Sequence, residues 1–333
     1  LPTLVQLQSD ITSPFPPLDL MVHIGEISAA SFNDTIPAKE VWRVSEDGEL
    51  RDPFKKLTTV FQMSEEMFFL HYGKDGCNRH VLIDECRELF GEIYEQIPEL
   101  PFCNIWTAMQ LSSRLPKGAL FHMGVSNTRR CWNMFQLPES VESACNVGCC
   151  GIDGCVSTLV GASLVNPDRL CYVVVGDLTF FYDLNSLGNH HIGTNLRVML
   201  VNNGRGTEFR LGIHHCNVFG DDADKYMAAA GHFGNKSPLL VKHYAEDLGF
   251  HYLSATTKEE FMTALSNFTN PQLSDHSMIL EVFTDSKDES EALYLMSHIQ
   301  SDAKGMVRSK LKDAVRNVAG EKGINAIKKI LKK

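Results

Sequence analysis

Long apolar runs are absent from this 333-residue sequence. No stretch approaches the ~18 consecutive apolar residues that a membrane-spanning helix needs. The first ten residues, LPTLVQLQSD, also lack the basic start and the small-residue cleavage pattern of a secretory signal. Both absences predict a cytoplasmic protein without a membrane-spanning helix.

A regular cysteine framework is also missing. The ten cysteines follow no fixed spacing, and several fall in apolar segments, where a thiol packs as a small hydrophobic group. The densest group, CNVGCCGIDGC at residues 145–155, contains no paired CxxC motif, so we expect free thiols rather than a zinc or iron–sulfur site. The histidine pairs at 190–191 and 214–215 are poor metal sites as well, because neighbours in an extended segment point to opposite sides.

Positive charge is scarce except at the end of the chain. The formal net charge is −10, but residues 303–333 carry ten Lys or Arg and two acidic residues, which leaves −18 for the rest. Apolar positions in this tail recur at helical spacing. We therefore predict a basic amphipathic helical tail docked on an acidic body. Contact of the tail with an anionic membrane or with nucleic acid is the less favoured alternative, and we expect no nucleic-acid partner.

The length and the 44% hydrophobic content fit two modest domains. Strand-like runs at 18–25, 40–44 and 58–62 and a helix-like run at 64–71 predict part of a central α/β domain over residues 1–75. The polar break GKDGCNRH then marks a domain boundary near residue 76.

Residues 76–302 alternate between helix-like and strand-like patterns. Helices are predicted at 81–97, 104–114, 129–135, 156–165, 182–188, 239–248 and 258–267, and strands at 120–125, 142–146, 170–176, 196–202, 251–253 and 277–283. Such alternation predicts an α/β fold, a doubly wound parallel sheet with helices on both faces.

Two neighbouring strands of this sheet end in polar residues. Asp177 follows the first strand, in VVVGDLTFFYDL, and Asn202 and Asn203 follow the next, in VMLVNNGRG. Because parallel strands bring their carboxyl ends to one edge, these side chains should meet in one crevice. A carboxylate, an amide oxygen and a backbone carbonyl suit Mg²⁺. Each motif alone could be an ordinary turn, but their separation of 26 residues across one crossover favours a shared site.

The backbone after Gly176 supports the same interpretation. Amides of residues 176–179 are expected at the entrance to a helix, where N–H donors and the helix dipole favour a diphosphate. The residues alone therefore predict a site for Mg²⁺ and a diphosphate-bearing cofactor.

These motifs together resemble a known family. Gly-Asp followed at this distance by Asn-Asn is similar to the signature of thiamine diphosphate enzymes that act on 2-oxo acids. GDLTFFYDLN resembles the GDLS-x-x-x-DLN motif, and NVGCCGIDGCVST resembles the NRGASGIDG-x-x-ST motif, of the 2-succinyl-5-enolpyruvyl-6-hydroxy-3-cyclohexene-1-carboxylate synthases of the menaquinone pathway. DLMVHIG and EVWRVSEDGELRDPF resemble the central domain of that family, so the resemblance covers about residues 18–290.

The resemblance implies a thiamine diphosphate-binding fold with thiamine diphosphate and Mg²⁺ as cofactors. The side chains of Asp177 and Asn203 and the backbone carbonyl of Arg205 would bind Mg²⁺. Ile152 would wedge beneath the cofactor and hold it in a V shape, with simple core packing as the alternative. The remaining implied cofactor contacts are Gly151, Gly176, Leu178, Thr179, Gly206 and Thr207, of which Thr179 replaces the serine of the family.

Ser126 and Arg130, in GVSNTRR, match a family serine and arginine that face substrate carboxylates. The alternative is a helix N-cap serine and a solvated arginine. Two departures concern the acceptor: Val147 stands at the arginine of NRGASG, and the glycine-rich NNGGGIF is here NNGRGTEF, which adds Arg205 and Glu208. They favour a related enzyme whose acceptor is not isochorismate.

The activity implied is a thiamine diphosphate- and Mg²⁺-dependent decarboxylation of a 2-oxo acid with carboligation to an acceptor, in the transferase or lyase class. A simple 2-oxo acid decarboxylase, an acetolactate-synthase-like enzyme and a non-catalytic subunit with this fold remain alternatives.

The family has a separate N-terminal domain whose glutamate activates the cofactor, usually across a subunit interface. That domain does not precede residue 1, so we expect a fragment of a longer protein, inactive alone and assembling as a homodimer or homotetramer. A separate subunit is the alternative.

Overall fold

The computed structural model describes residues 3–8, 18–25, 38–73, 81–148, 151–211, 214–225 and 237–300. Its contacts divide the chain into two compact units, Leu1–Ile97 and Pro98–Lys333. This division lies later than the boundary near residue 76, because the helix Val81–Glu95 groups with the first unit, where it contacts the helix Thr3–Gln6. The predicted tail at 303–333 lies outside the described residues.

The first unit contains a small parallel sheet. Its strands are β1 (Leu18–Ile24), β2 (Ala38–Ser45) and β3 (Leu57–Gln62), in the order β1-β2-β3, and its helices are α1 (Thr3–Gln6), α2 (Glu65–Tyr72) and α3 (Val81–Glu95). Ser64 caps α2 by accepting a hydrogen bond from the amide of Met67 (3.3 Å). Phe68 and Tyr72 of α2 pack against Phe61 of β3, with ring centroids 5.0 and 5.5 Å apart.

The second unit is built around a larger sheet. Its strands are β4 (Leu120–Met123), β5 (Glu142–Cys145), β6 (Cys171–Gly176), β7 (Leu196–Asn202), β8 (His251–Ala255) and β9 (Met278–Phe283). Its helices are α4 (Asn104–Ser112), α5 (Asn127–Trp132), α6 (Cys155–Val165), α7 (Asp177–Asp183), α8 (Leu240–Asp247), α9 (Lys258–Phe268) and α10 (Ser286–Ser297), with 3-10 segments at Leu184–Gly188, Thr207–Arg210 and His215–Lys225.

All strand pairs of this sheet are parallel, and the spatial order is β5-β4-β6-β7-β9-β8. Helices cover both faces, so the predicted doubly wound α/β fold is confirmed. The strand order reverses between β4 and β6: the chain leaves β4 toward β5 and then returns to the other side of β4. Open parallel sheets bind their ligands at the carboxyl ends of the strands beside such a reversal.

The central strands β6 and β7 are apolar and buried on both faces. Val173 and Val175 of β6 and Val198 and Leu200 of β7 belong to one core cluster, which also contains Phe180 of α7. Burial of branched side chains on both faces fixes the two strands in the middle of the sheet. The residues that follow them therefore have a defined position.

Gly124 directly follows β4 and lies beside the carboxyl end of β6. Its amide donates to the backbone oxygen of Val174 (2.7 Å), and a Cβ atom at Gly124 would lie 3.2 Å from that oxygen and 3.4 Å from Val175 Cα. The absence of a side chain allows this separation.

Two helices differ from the sequence predictions. The helix predicted at 182–188 begins earlier: α7 starts at Asp177, directly after the extended Gly176, and residues Leu184–Gly188 form a 3-10 segment. The earlier start follows from the burial of Phe180 against the core. Helix α10 was not predicted, because its sequence SKDESEALYLMS is mostly polar. None of the described helices is long and apolar enough to cross a membrane.

Asn195, only 2% exposed, provides a test of how α6 is joined to the sheet. Its side-chain Nδ2 donates toward the backbone oxygens of Ser163 (3.1 Å), Asn166 (2.9 Å) and Arg169 (3.0 Å). Replacing Asn195 with Ala should lower the free energy of unfolding by about 2 kcal/mol, because buried carbonyls lose their donor. Chemical denaturation checks this, with the exposed Asn267→Ala on α9 as a control that should change little. Equal losses in both variants would contradict the assignment.

Candidate functional site

A cavity of about 400 Å³ lies in the second unit at the carboxyl ends of β4, β6 and β7, beside the reversal in strand order. Its described lining consists of Asn104, Val125, Ser126, Asn127, Thr128, Ile152, Gly176, Asp177, Leu178, Thr179, Tyr182, Val201, Asn203, Arg205, Gly206, Thr207, Glu208 and Phe209. Most of the residues predicted from sequence are therefore brought together in one cavity.

Asp177 is the first residue of α7 and is only 2% exposed. Its Oδ1 accepts a hydrogen bond from the amide of Leu178 (2.8 Å), which holds the carboxylate at the cavity wall. Gly176, immediately before it, faces open space, since no atom lies within 4 Å of where its Cβ would be. A buried carboxylate next to open space is suited to a bound cation.

The two asparagines at the end of β7 have different positions. Asn202 is buried, donates through Nδ2 to Glu281 Oε1 (2.7 Å) and accepts from the amide of Gly204 (3.2 Å). Asn203 lines the cavity, and its Oδ1 accepts from the amide of Arg205 (3.4 Å). Asn202 therefore supports the turn, and Asn203 presents an amide oxygen to the cavity.

Thr207 provides an independent sign of a ligand. It lines the cavity, and its hydroxyl oxygen is buried without a hydrogen-bond partner in the part of the chain that the structure describes. A buried hydroxyl without a partner is costly. Together with the Asp177 carboxylate and the Asn203 amide, it forms an oxygen-rich donor set that fits Mg²⁺ and a diphosphate.

Of the predicted site residues, ten line the cavity: Ser126, Ile152, Gly176, Asp177, Leu178, Thr179, Asn203, Arg205, Gly206 and Thr207. Gly151 and Arg130 are not among the described residues of the lining. Gly151 precedes Ile152 and is crowded, because a Cβ there would lie 2.7 Å from Asp153 Oδ1.

Ser126 is at the N-cap position of α5 but does not cap the helix through its side chain. Its backbone has φ 60° and ψ −125°, in a region that non-glycine residues rarely occupy and that costs on the order of 1–3 kcal/mol. Ser126 therefore has the N-cap position that the alternative gave it, but without the side-chain hydrogen bond of an ordinary cap. The strained backbone places Ser126 on the cavity wall.

Arg130 of α5 is not solvated, contrary to the alternative considered from sequence. Its Nη1 and Nη2 donate to Glu208 Oε2 and Oε1, each at 2.7 Å, and the two side chains are 17% and 20% exposed. Burial acts to lower the pKa of the guanidinium, but the bonds and charge of Glu208 outweigh it and the pKa is raised. This pair was not predicted, because its members lie 78 residues apart.

Asp183 positions α7 against α6, a role that was not predicted although the residue belongs to the GDLTFFYDLN motif. It is the Asp of the DLN run, and its Oδ2 accepts from the amide (2.7 Å) and hydroxyl (3.0 Å) of Ser157 in α6. This contact joins the end of α7 to the beginning of α6. The helix that carries Asp177 is thus tied to the helix that follows Ile152.

A second unpredicted group lies behind the cavity wall. Glu289 of α10 is 1% exposed, and its Oε1 accepts from the amide of Asn104 (3.0 Å) and from the hydroxyl of Thr284 (2.9 Å). The Glu289 side chain also forms a hydrogen bond with the side chain of Asn127. Burial is the main cause that raises the pKa of Glu289 to about 7. Asn104 and Asn127 line the cavity, so Glu289 supports that wall.

Among the histidines whose side chains the structure describes, His190, His191 and His214 are not part of the cavity lining. His190 and His191 lie in a turn with ring centroids 3.8 Å apart, so the expectation that their side chains point to opposite sides was wrong. His214 accepts at Nδ1 from the amide of Cys216 (3.1 Å), and its ring contacts Phe209. Across the described ranges, no group of three or more His, Cys, Asp or Glu side chains could hold a metal ion.

The raised pKa of Glu289 makes the stability of this wall depend on pH. In the folded protein Glu289 keeps its proton up to about pH 7, whereas in the unfolded chain the carboxyl loses it near pH 4.5. The free energy of unfolding therefore falls as the pH rises from about 4.5 to about 7. Glu289→Gln keeps the Oε1 acceptor and removes the charge. The unmodified protein should lose stability as the pH rises, and the variant should not. The free energy of unfolding of Glu289→Gln minus that of the unmodified protein should therefore grow by up to about 3 kcal/mol from about pH 5 to pH 8.

Denaturation at both pH values measures this difference. The exposed Glu291→Gln on the same helix is the control and should show no such change. A difference for Glu289→Gln that stays constant with pH would contradict a raised pKa.

Three curated proteins that are similar to this chain have the same name. No protein-family model matches the chain. The chain is 33% identical over 263 residues to the 2-succinyl-5-enolpyruvyl-6-hydroxy-3-cyclohexene-1-carboxylate synthase of Bacteroides fragilis, covering 77% of this chain and 45% of that protein. The synthases of Phocaeicola vulgatus and Bacteroides thetaiotaomicron are each 32% identical, over 265 and 259 residues, and cover 77% of this chain and 44% of those proteins.

The chain thus spans less than half the length of these curated relatives. Of the motifs that suggested the resemblance, GDLTFFYDLN, NVGCCGIDGCVST and VMLVNNGRG lie in the second unit, whereas DLMVHIG and EVWRVSEDGELRDPF lie in the first. By this similarity, the chain belongs to the family of the 2-succinyl-5-enolpyruvyl-6-hydroxy-3-cyclohexene-1-carboxylate synthases.

Proposed function

We propose that this chain carries the diphosphate- and Mg²⁺-binding site of a thiamine diphosphate-dependent enzyme. The enzyme decarboxylates a 2-oxo acid and joins the remaining fragment to an acceptor. The observation that carries the proposal is that Asp177 and Asn203, at the ends of the adjacent parallel strands β6 and β7, line one cavity in a member of this synthase family.

The metal would be held by side chains already at the cavity wall. Asp177 supplies a buried carboxylate and Asn203 an amide oxygen, with the backbone carbonyl of Arg205 as a third ligand. These are hard oxygen donors, and Mg²⁺ keeps further positions for phosphate and water. The set supports Mg²⁺ over a thiolate- or imidazole-preferring metal.

The diphosphate would lie against the residues from Gly176 to Thr179 and the turn of Gly206 and Thr207. The hydroxyls of Thr179 and Thr207, the second without a hydrogen-bond partner among the described residues, provide donors for phosphate oxygens. Gly151 and Ile152 would lie beneath the reactive part of the cofactor, where Ile152 reaches the cavity.

Thiamine diphosphate, when bound, supplies an electron sink for the carbanion left after decarboxylation. The chain's own contribution is to anchor the diphosphate, fix the orientation of the cofactor and line the substrate end of the cavity with Ser126. Because the curated relatives are about twice as long, we propose that a pyrimidine-binding domain in a homodimer or homotetramer completes the site.

Asp177→Asn tests the metal site, because it removes the charge with almost no change in shape. Calorimetric titration of thiamine diphosphate in the presence of Mg²⁺ should show affinity weakened by at least about tenfold, the scale of one charge-assisted contact. The exposed Asp168→Asn removes the same charge outside the cavity and should leave the affinity unchanged. Unchanged affinity in Asp177→Asn would refute the proposed site.

Ile152→Ala tests whether this side chain orients the cofactor. Turnover, measured on a form extended to the length of the relatives, should fall by about tenfold or more, whereas thiamine diphosphate affinity should change by only about threefold. Ile192→Ala is the matched control, since Ile192 is also partly buried but packs on the core away from the cavity. If Ile152→Ala lost turnover no more than Ile192→Ala, Ile152 would be core packing.

A further inference from the structure

Arg130 binds the carboxylate of Glu208 in the two-pronged geometry with which an arginine could bind the carboxylate of a ligand. A guanidinium presents two parallel N–H groups that match the two oxygens of one carboxylate. In Arg130 both groups are engaged, at 2.7 Å each, by the two oxygens of Glu208. The side chains come from α5 and from the 3-10 segment after β7, so the tertiary fold holds them together.

The two partners are placed differently relative to the cavity. Glu208 is part of the described lining, and Arg130 is not. Glu208, rather than Arg130, is therefore the member of the pair that borders the space that a substrate would occupy. With 17% of the Arg130 side chain and 20% of the Glu208 side chain exposed, water screens the pair only in part.

A substrate carboxylate at this end of the cavity would meet an unfavourable environment. The pair has no net charge, so it offers no overall attraction for an anion. Displacing Glu208 from Arg130 would leave its carboxylate partly buried without its partner, and keeping it there would place two negative groups close together.

We propose that Glu208 is a specificity-determining residue that occupies Arg130 and excludes substrate carboxylates from it. The substrate group at this end of the cavity would then be an uncharged hydrogen-bond donor, a hydroxyl or an amide, that donates to the Glu208 carboxylate. This inference deepens the proposed function and rests on it for the identity of the cavity as the substrate site.

Binding of succinate, a small dicarboxylate, tests the inference without the cofactor. Calorimetry on the full chain should show that Glu208→Gln binds succinate about tenfold or more tightly than the unmodified protein, because Arg130 becomes available. The double variant Arg130→Gln, Glu208→Gln should lose this gain. Glu142→Gln is the matched control, since it removes a carboxylate paired with Arg169 (2.9 Å) at the other end of the strands.

Either of two results would overturn the inference. One is a Glu208→Gln variant with no gain, or with a gain that persists in the double variant. The other is an unmodified protein that binds succinate about tenfold more tightly than the double variant, which has the same net charge, because Arg130 would then already accept the anion. The second comparison holds even if Glu208→Gln fails to fold. Failure of thiamine diphosphate to bind in a separate titration would refute the proposed function instead, and would leave these succinate affinities unchanged.

Discussion

The parallel pairing of β4, β6 and β7 is the constraint on which the candidate site depends. It brings three strand ends to one edge of the sheet, and the reversal of order between β4 and β6 opens a crevice there. Strand burial fixes the positions of Asp177 and Asn203, and the Asp183–Ser157 contact ties α7 to α6. The cavity is thus formed by rigid elements rather than by one long loop.

The walls of this cavity differ in character. The wall after β6 and β7 contains oxygen ligands and the Thr207 hydroxyl, for which the described part of the chain offers no partner; these features suit a charged cofactor and its metal. The wall after β4 contains the strained Ser126, with the buried Glu289 behind it, and Glu208 of the lining is paired there with Arg130 of α5. Both walls contain residues that match the family motifs, and the segment after β7 also contains the departures Arg205 and Glu208.

Local patterns predicted the fold and the convergence of Asp177 with Asn203, because apolar β-branched runs mark buried parallel strands and their order along the chain gives the shared edge. They failed where a contact depends on tertiary structure. Glu208 reaches Arg130 from 78 residues away, and α10 carries Glu289 on a mostly polar sequence. The start of α7 at Asp177 was missed because Phe180 is drawn into the core, an effect that periodicity in a short segment does not reveal.

Gly124 allows the chain after β4 to lie close to the backbone of β6. Its amide lies 2.7 Å from the backbone oxygen of Val174, and a single added carbon would press on the backbone of β6. Any larger residue would separate the two strands at the point from which Ser126 and Asp177 continue. The pairing of β4 with β6 beside the cavity therefore depends on a residue without a side chain, and a lineage that replaced Gly124 would have to shift the neighbouring backbone of β6 by a few tenths of an ångström.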